Sequence, residues 1–117
     1  MDFKSNVPIY LQVIEDIKDK IISGDIQLGS RLPSSRELAL QYQINPNTAA
    51  RIYNEMELMD LSYTRRGIGT FVTEDTSVVE RLKTEHTDAL IGDFVTACKC
   101  IGLSCDDVVA MIKENYK

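Results

Sequence analysis

Few side chains in this 117-residue sequence are of a type and spacing to do covalent chemistry. There is one histidine, His86, and the three cysteines, Cys98, Cys100 and Cys105, fall within eight residues at C-x-C-x4-C spacing. No glycine-rich phosphate loop, Ser/His/Asp set or paired carboxylates stand out, so the residue types speak against an enzyme. An odd number of closely spaced cysteines is not a secreted disulfide framework, and reduced thiols in a cytosolic protein are the simple expectation. The sharper alternative is a regulator that responds to metal or thiol chemistry through these cysteines, although no histidine or further cysteine sits at a ligand spacing. No metal and no cofactor is expected.

What remains is recognition chemistry. Arg31, Arg36, Arg51, Arg65 and Arg66 carry fixed charge and forked donors that suit phosphate oxygens or guanine. Asn45-Pro46-Asn47-Thr48 offers short hydrogen-bonding side chains. An amide pairs bidentately with adenine, and a threonine bonds a base edge or touches a thymine methyl.

The net charge of −5 at first argues against a nucleic-acid partner, but its distribution matters more than the total. Between Arg31 and Val72 five arginines face four acids, Glu37, Glu55, Glu57 and Asp60. Three of those acids lie toward the far end of one helix. From Leu61 to Val72 there are two arginines and no acid. One edge is therefore locally positive.

The elements that must position these residues follow from periodicity. Pro8 suits a first helical position, and Leu11, Ile14, Ile17, Ile21 and Ile22 form an apolar stripe that Gly24 terminates. Ser34 and Glu37 make a capping box opening a second, short helix with Leu38, Ala39 and Tyr42 inward. Asn45 caps a third helix with Pro46 at its first position, running to about Asp60, with Ala49, Ile52, Tyr53, Met56 and Met59 as its apolar side. Leu61–Thr64 and Gly69–Val72 read as two strands joined by Arg65-Arg66-Gly67-Ile68, with glycines at the tip. Ser77 with Glu80 predicts a further capping box and a long helix to about Ile101. Ser104 with Asp107 predicts a last helix. The fold class is mainly α with a small β-hairpin wing. A winged helix-turn-helix over 1–75 precedes a two-helix segment over 76–117.

A second helix that enters a major groove end-on needs short polar residues at its exposed start, where Asn47 and Thr48 stand, with Arg51 one turn later. Arg31 and Arg36 flank the opening of helix two, where Ser34 and Ser35 add free helix-terminal amides for phosphate. Arg65 and Arg66 at the hairpin tip suit a minor groove, with Gly67, Gly69 and Thr70 completing the wing.

Pro8-Ile9-Tyr10-x-Gln12, Gly29-x-Arg31-Leu32-Pro33-Ser34-x-Arg36-x-Leu38-Ala39, Asn45-Pro46-Asn47-Thr48 and Arg66-Gly67-x-Gly69-Thr70-Phe71-Val72 resemble the GntR family of bacterial regulators, and the Asn-Pro-Asn-Thr start resembles its short YtrA-type and aminotransferase-fused branches, the chain's length favouring the former. The resemblance implies a palindromic operator in double-stranded DNA bound as a homodimer, usually for repression. It also implies DNA contact for Arg36, the start of helix three, and Gly67 with the basic residue before it. Many members carry arginine where this chain has Pro46 and Ala50, so Arg51 takes over part of that role by analogy only.

The forty or so residues after the wing are too few to enclose an effector pocket of the usual size. The stripe Val79, Leu82, His86, Leu90, Phe94, Cys98 and Ile101 must bury its apolar face, and a second subunit is the economical partner. Cys98 and His86 are expected to pack within it. The effector stays unassigned. No apolar run spans a bilayer, and Met1-Asp2-Phe3-Lys4 lacks a signal peptide's basic start, so a cytoplasmic protein without membrane contact is expected. The rival class is a winged helix used only to bind proteins, which would have no reason to gather five arginines on one edge.

Overall fold

The computed structural model describes residues 1–116. Helix α1 (Ile9–Ser23) opens after Pro8, whose carbonyl accepts from the Leu11 and Gln12 amides. It closes at Gly24, which adopts a left-handed φ of 87°. Its buried face is Val13, Ile14, Ile17 and Ile21. The expected stripe is thus shifted: Leu11 is exposed and Val13 is fully buried, because the helix turns the flank of Ile14 and Ile17 that carries Val13 inward.

Helix α2 (Ser35–Tyr42) has the expected capping box, with the Ser34 hydroxyl accepting from the Glu37 amide and the Glu37 carboxylate accepting from the Ser34 amide. Helix α3 (Pro46–Leu58) starts on Asn45, whose side chain accepts from the Asn47 amide at 2.8 Å. Ala49, Ile52, Tyr53 and Met56 face inward. Burying a side chain the size of Ile52 or Met56 stabilises the fold by about 1.5–3 kcal/mol. Two tyrosine hydroxyls lock the helices together. Tyr42 of α2 donates to Asp16 of α1 at 2.6 Å, and Tyr53 of α3 donates to the Pro33 carbonyl just before α2.

Strands β1 (Ser62–Arg65) and β2 (Gly69–Val72) pair antiparallel, Ser62 opposite Val72 and Arg65 opposite Gly69. A third strip joins them. The Leu32 amide donates to the Thr70 carbonyl at 2.8 Å and the Val72 amide to the Ser30 carbonyl at 2.9 Å, so Arg31 bridges to Phe71 along the free edge of β2. The inner side of this sheet buries Leu32, Ser62 and Val72 with the helices.

Helix α4 (Thr76–Cys100) begins at Thr76, and its start corrects one expectation. The cap is Asp75 in place of Ser77: its carboxylate accepts from the Ser77 amide at 2.9 Å and the Ser77 hydroxyl at 2.6 Å. A carboxylate beside a positive helix terminus outcompetes a neutral hydroxyl for that role. Helix α5 (Cys105–Asn115) carries the expected Ser104/Asp107 box.

The chain divides into two compact units, Met1–Leu82 and a second starting at Lys83. The first turns of α4 belong to the former, where Val78 and Leu82 are buried with the α1–α3 core and Val79 packs against it. In the second unit Cys98 is buried, while Leu90, Phe94 and Ile101 are exposed. The described residues contain no helix long and apolar enough to cross a membrane.

Candidate nucleic-acid interface

The helix-turn-helix is built from α2 and α3, joined through Gln43 in a left-handed conformation and the Asn45 cap. The hydroxyl bond from Tyr53 to Pro33 ties the opening of α2 to the middle of α3. Burial and the nearby Glu37 charge push the Tyr53 hydroxyl's pKa up, keeping it a neutral donor. The Glu37 carboxylate is held below the usual range by the Ser34 amide and hydroxyl, with Arg31 adding a weaker through-space pull. It is spent on the cap.

That leaves the cations unspent. Lys18–Glu15 and Lys20–Asp16 form ion pairs on α1, and none of the five arginines takes part in either. Arg31, Arg36, Arg51, Arg65 and Arg66 are all exposed. Arg36 projects from the first turn of α2 beside Ser34 and Ser35, where helix-terminal amides add to the positive potential.

Arg31 precedes α2 in sequence, but its backbone belongs to the wing. Its guanidinium crosses the Gly69 backbone so closely that a Cβ there would stand 2.9 Å from Arg31 Nε. Gly69 also has φ of 150°, which L side chains rarely adopt. The backbone conformation favours glycine there, and the absence of a Cβ leaves room for the Arg31 side chain.

On α3, Asn47 and Arg51 lie one turn apart on the face opposite the buried residues, with Asn47 exposed and Thr48 half-buried beside it. The Arg51 guanidinium lies over the ring of Tyr10, 3.8 Å from its centroid. Tyr10 comes from the second residue of α1 and packs partly against the core.

In the wing, Arg65 ends β1 instead of sitting at the tip. The turn proper is Arg66-Gly67-Ile68, closed by the Ile68 amide donating to the Arg65 carbonyl at 2.9 Å, with Gly67 at φ of 78°. Arg65 lies 5.8 Å and 5.7 Å from the rings of Tyr63 and Phe71, which stack with centroids 5.7 Å apart. On the opposite face of the hairpin the hydroxyls of Thr64 and Thr70 approach to 3.4 Å.

Sequence reasoning passed over these aromatic platforms. Tyr63 and Phe71 were findable, since alternate residues of paired strands share a face with Arg65. Tyr10 was not, being forty-one positions from Arg51 with only the fold to join them.

In the second unit His86 is exposed, as are Cys100 and Cys105. No group of three His, Cys, Asp or Glu that could hold a metal occurs among the described residues. Helices α4 and α5 outline an open groove of about 620 Å³. Gly102, in a left-handed conformation, lets α5 fold back so that Phe94, Cys98 and Ile101 face Val108, Met111 and Tyr116.

The family model for bacterial regulatory proteins of the gntR family matches residues 9–72. The chain is 40% identical over 111 residues to the HTH-type transcriptional regulator YhcF of Bacillus subtilis (strain 168), covering 95% of this chain and 92% of that one. It is also 40% identical over 82 residues to the HTH-type transcriptional repressor YtrA of the same strain, covering 68% of this chain and 63% of the relative. A GntR family transcriptional regulator from Listeria monocytogenes superposes with a TM-score of 0.88 at 33% identity, over 96% of this chain and 98% of that one. The DNA-binding domain of AraR in complex with operator ORE1 superposes with a TM-score of 0.55 at 30% identity, over 62% of this chain and 90% of that one.

Proposed function

The chain belongs to the GntR family of bacterial regulatory proteins, and from that premise we propose that it represses transcription by binding a palindromic operator in duplex DNA as a homodimer. It is a transcription regulator built on a winged helix-turn-helix, and the relatives named as repressor and as operator complex support the finer reading. One observation carries it: five exposed arginines free of ion pairs are distributed over the helix-turn-helix and wing of an otherwise acidic chain.

The division of labour follows from chemistry. Arg31, Arg36, the Ser34 hydroxyl and the amide of Ser35 anchor phosphates and set register without reading sequence; the Ser34 amide, expected to be free, is taken by Glu37. Asn47, Thr48 and Arg51 read the major groove from α3. Arg65 and Arg66, with Gly67, Gly69 and Thr70, form the wing contact, its charge concentrated toward a narrow groove. Residues 76–117 form the dimerisation segment. Leu90, Phe94 and Ile101 are apolar and exposed, and a second copy would cover them, with exposed His86 along the same helix; Leu82 and Val79, expected in that stripe, are instead occupied by the core of the first unit. A cytoplasmic protein fits this work.

Nuclease protection of the DNA upstream of the protein's own gene tests the assignment. Two protected half-sites related by a twofold axis and centred a whole number of helical turns apart are expected. A single unrepeated protected site, or none, overturns it.

A further inference from the structure

The Tyr10–Arg51 stack joins the start of α1 to the outward face of α3. We propose that Tyr10 is a positioning residue for DNA reading: it fixes the pose of Arg51, so that α1 contributes to base preference through an arginine on α3. The proposal rests on the DNA-reading assignment above.

The guanidinium sits 3.8 Å from the ring centroid, a face contact. Stacking uses the face of the guanidinium and leaves all its N–H donors, which lie around the edge, available for a bidentate contact. No carboxylate among the described residues forms an ion pair with Arg51, so its charge is likewise unspent. Tyr10 is itself held, partly buried against the core at the start of α1, and it is a stiff support for a side chain that would otherwise sample many rotamers. Arg51 shares the outward face of α3 with Asn47, one turn away, so the two present adjacent hydrogen-bonding groups. The start of α3 carries Pro46 and Ala50, neither of which can donate a side-chain hydrogen bond. A braced Arg51 is then the main charged reader on this helix.

Selection from a random duplex pool, followed by sequencing of the bound fraction, tests this with the full-length wild type, Tyr10→Phe, Tyr10→Leu, Arg51→Ala and the Tyr10→Leu/Arg51→Ala double variant. Arg51→Ala is expected to lose preference at particular base pairs. Tyr10→Leu keeps apolar bulk but no ring, and is expected to weaken discrimination at those same base pairs by about 2- to 5-fold, the strength of an exposed cation–π contact. Tyr10→Phe should keep the wild-type preference, and the double variant should match Arg51→Ala alone. Thermal melting of each variant separates a loss of folding from a loss of reading. The proposal is overturned by a Tyr10→Leu protein that melts like the wild type and keeps its preferences. Equal weakening of every sequence by Tyr10→Phe also overturns it, since the hydroxyl would then be a phosphate contact in its own right. A wild type that enriches no sequence overturns the DNA-reading assignment, and this proposal with it.

Discussion

Replacing Gly69 by alanine separates two effects that the wing combines. The added methyl would stand 2.9 Å from Arg31 Nε and 3.4 Å from Cζ and Nη2, so the guanidinium must leave its place across the β2 backbone. Independently, φ of 150° is strained for any residue with a Cβ. That backbone term costs about 1–3 kcal/mol. The displaced arginine, exposed and flexible, adds little to stability. Urea unfolding should therefore show Gly69→Ala destabilised by about 1–3 kcal/mol, and Arg31→Ala/Gly69→Ala destabilised by nearly the same amount. In DNA binding the order reverses. Gly69→Ala and Arg31→Ala should each weaken operator and random duplex alike, and the double variant should be no worse than Arg31→Ala. If deleting the Arg31 side chain restores the stability of Gly69→Ala, the cost lies in the contact and the backbone argument is wrong.

Arg36→Ala should weaken operator and random duplex by the same factor and reduce the salt slope by about 0.9 for each phosphate contact removed, measured by fluorescence anisotropy across a potassium chloride series. Asn47→Ala should instead relax preference at one or two base pairs at a cost of about 1–3 kcal/mol, with random-duplex affinity unchanged; equal losses on both would remove it from the readout. Asp16 is held below the ordinary aspartate range by the hydrogen bond from Tyr42, with Lys20 assisting against the opposing effect of burial. A depressed folded value means its contribution is present above the unfolded pKa of about 4 and is lost as pH falls through the folded one. Acid melting curves of Asp16→Asn should accordingly be flatter below about pH 4 than the wild type's, and identical acid limbs would show that the Tyr42–Asp16 bond contributes nothing.

The parts legible in the sequence are those governed by neighbours along the chain. The Ser34/Glu37 and Ser104/Asp107 boxes, the Asn45 cap and the glycine stop after α1 are written within four residues, and each is present as expected. Where two local signals competed, sequence reasoning chose the wrong one: Ser77 and Glu80 fit a capping box, yet Asp75 holds the helix start with its charge. Long-range placements were hidden. Ser30-Arg31-Leu32 has no strand pattern of its own and joins the edge of β2 only through an isolated bridge at Arg31, which moves Arg31 from the mouth of α2 to the wing. Leu82 reads as part of one continuous stripe along α4, but the fold buries it within the first unit. The candidate contact residues were nameable from residue type; the aromatic surfaces that orient Arg51 and Arg65 needed the tertiary structure.

The central claim is that an acidic chain presents an unpaired basic edge to duplex DNA, and the salt dependence of binding tests it most directly. Affinity for the upstream duplex is measured from low to physiological salt, and log K is plotted against log salt. The four arginines outside α3 in each of two protomers, one phosphate each, set a limiting slope of about −7, and engagement of half of them gives about −3 to −4. The account predicts a slope within that range, made shallower by each of Arg31→Ala, Arg36→Ala and Arg66→Ala. A slope near zero, or one that these substitutions leave untouched, contradicts it.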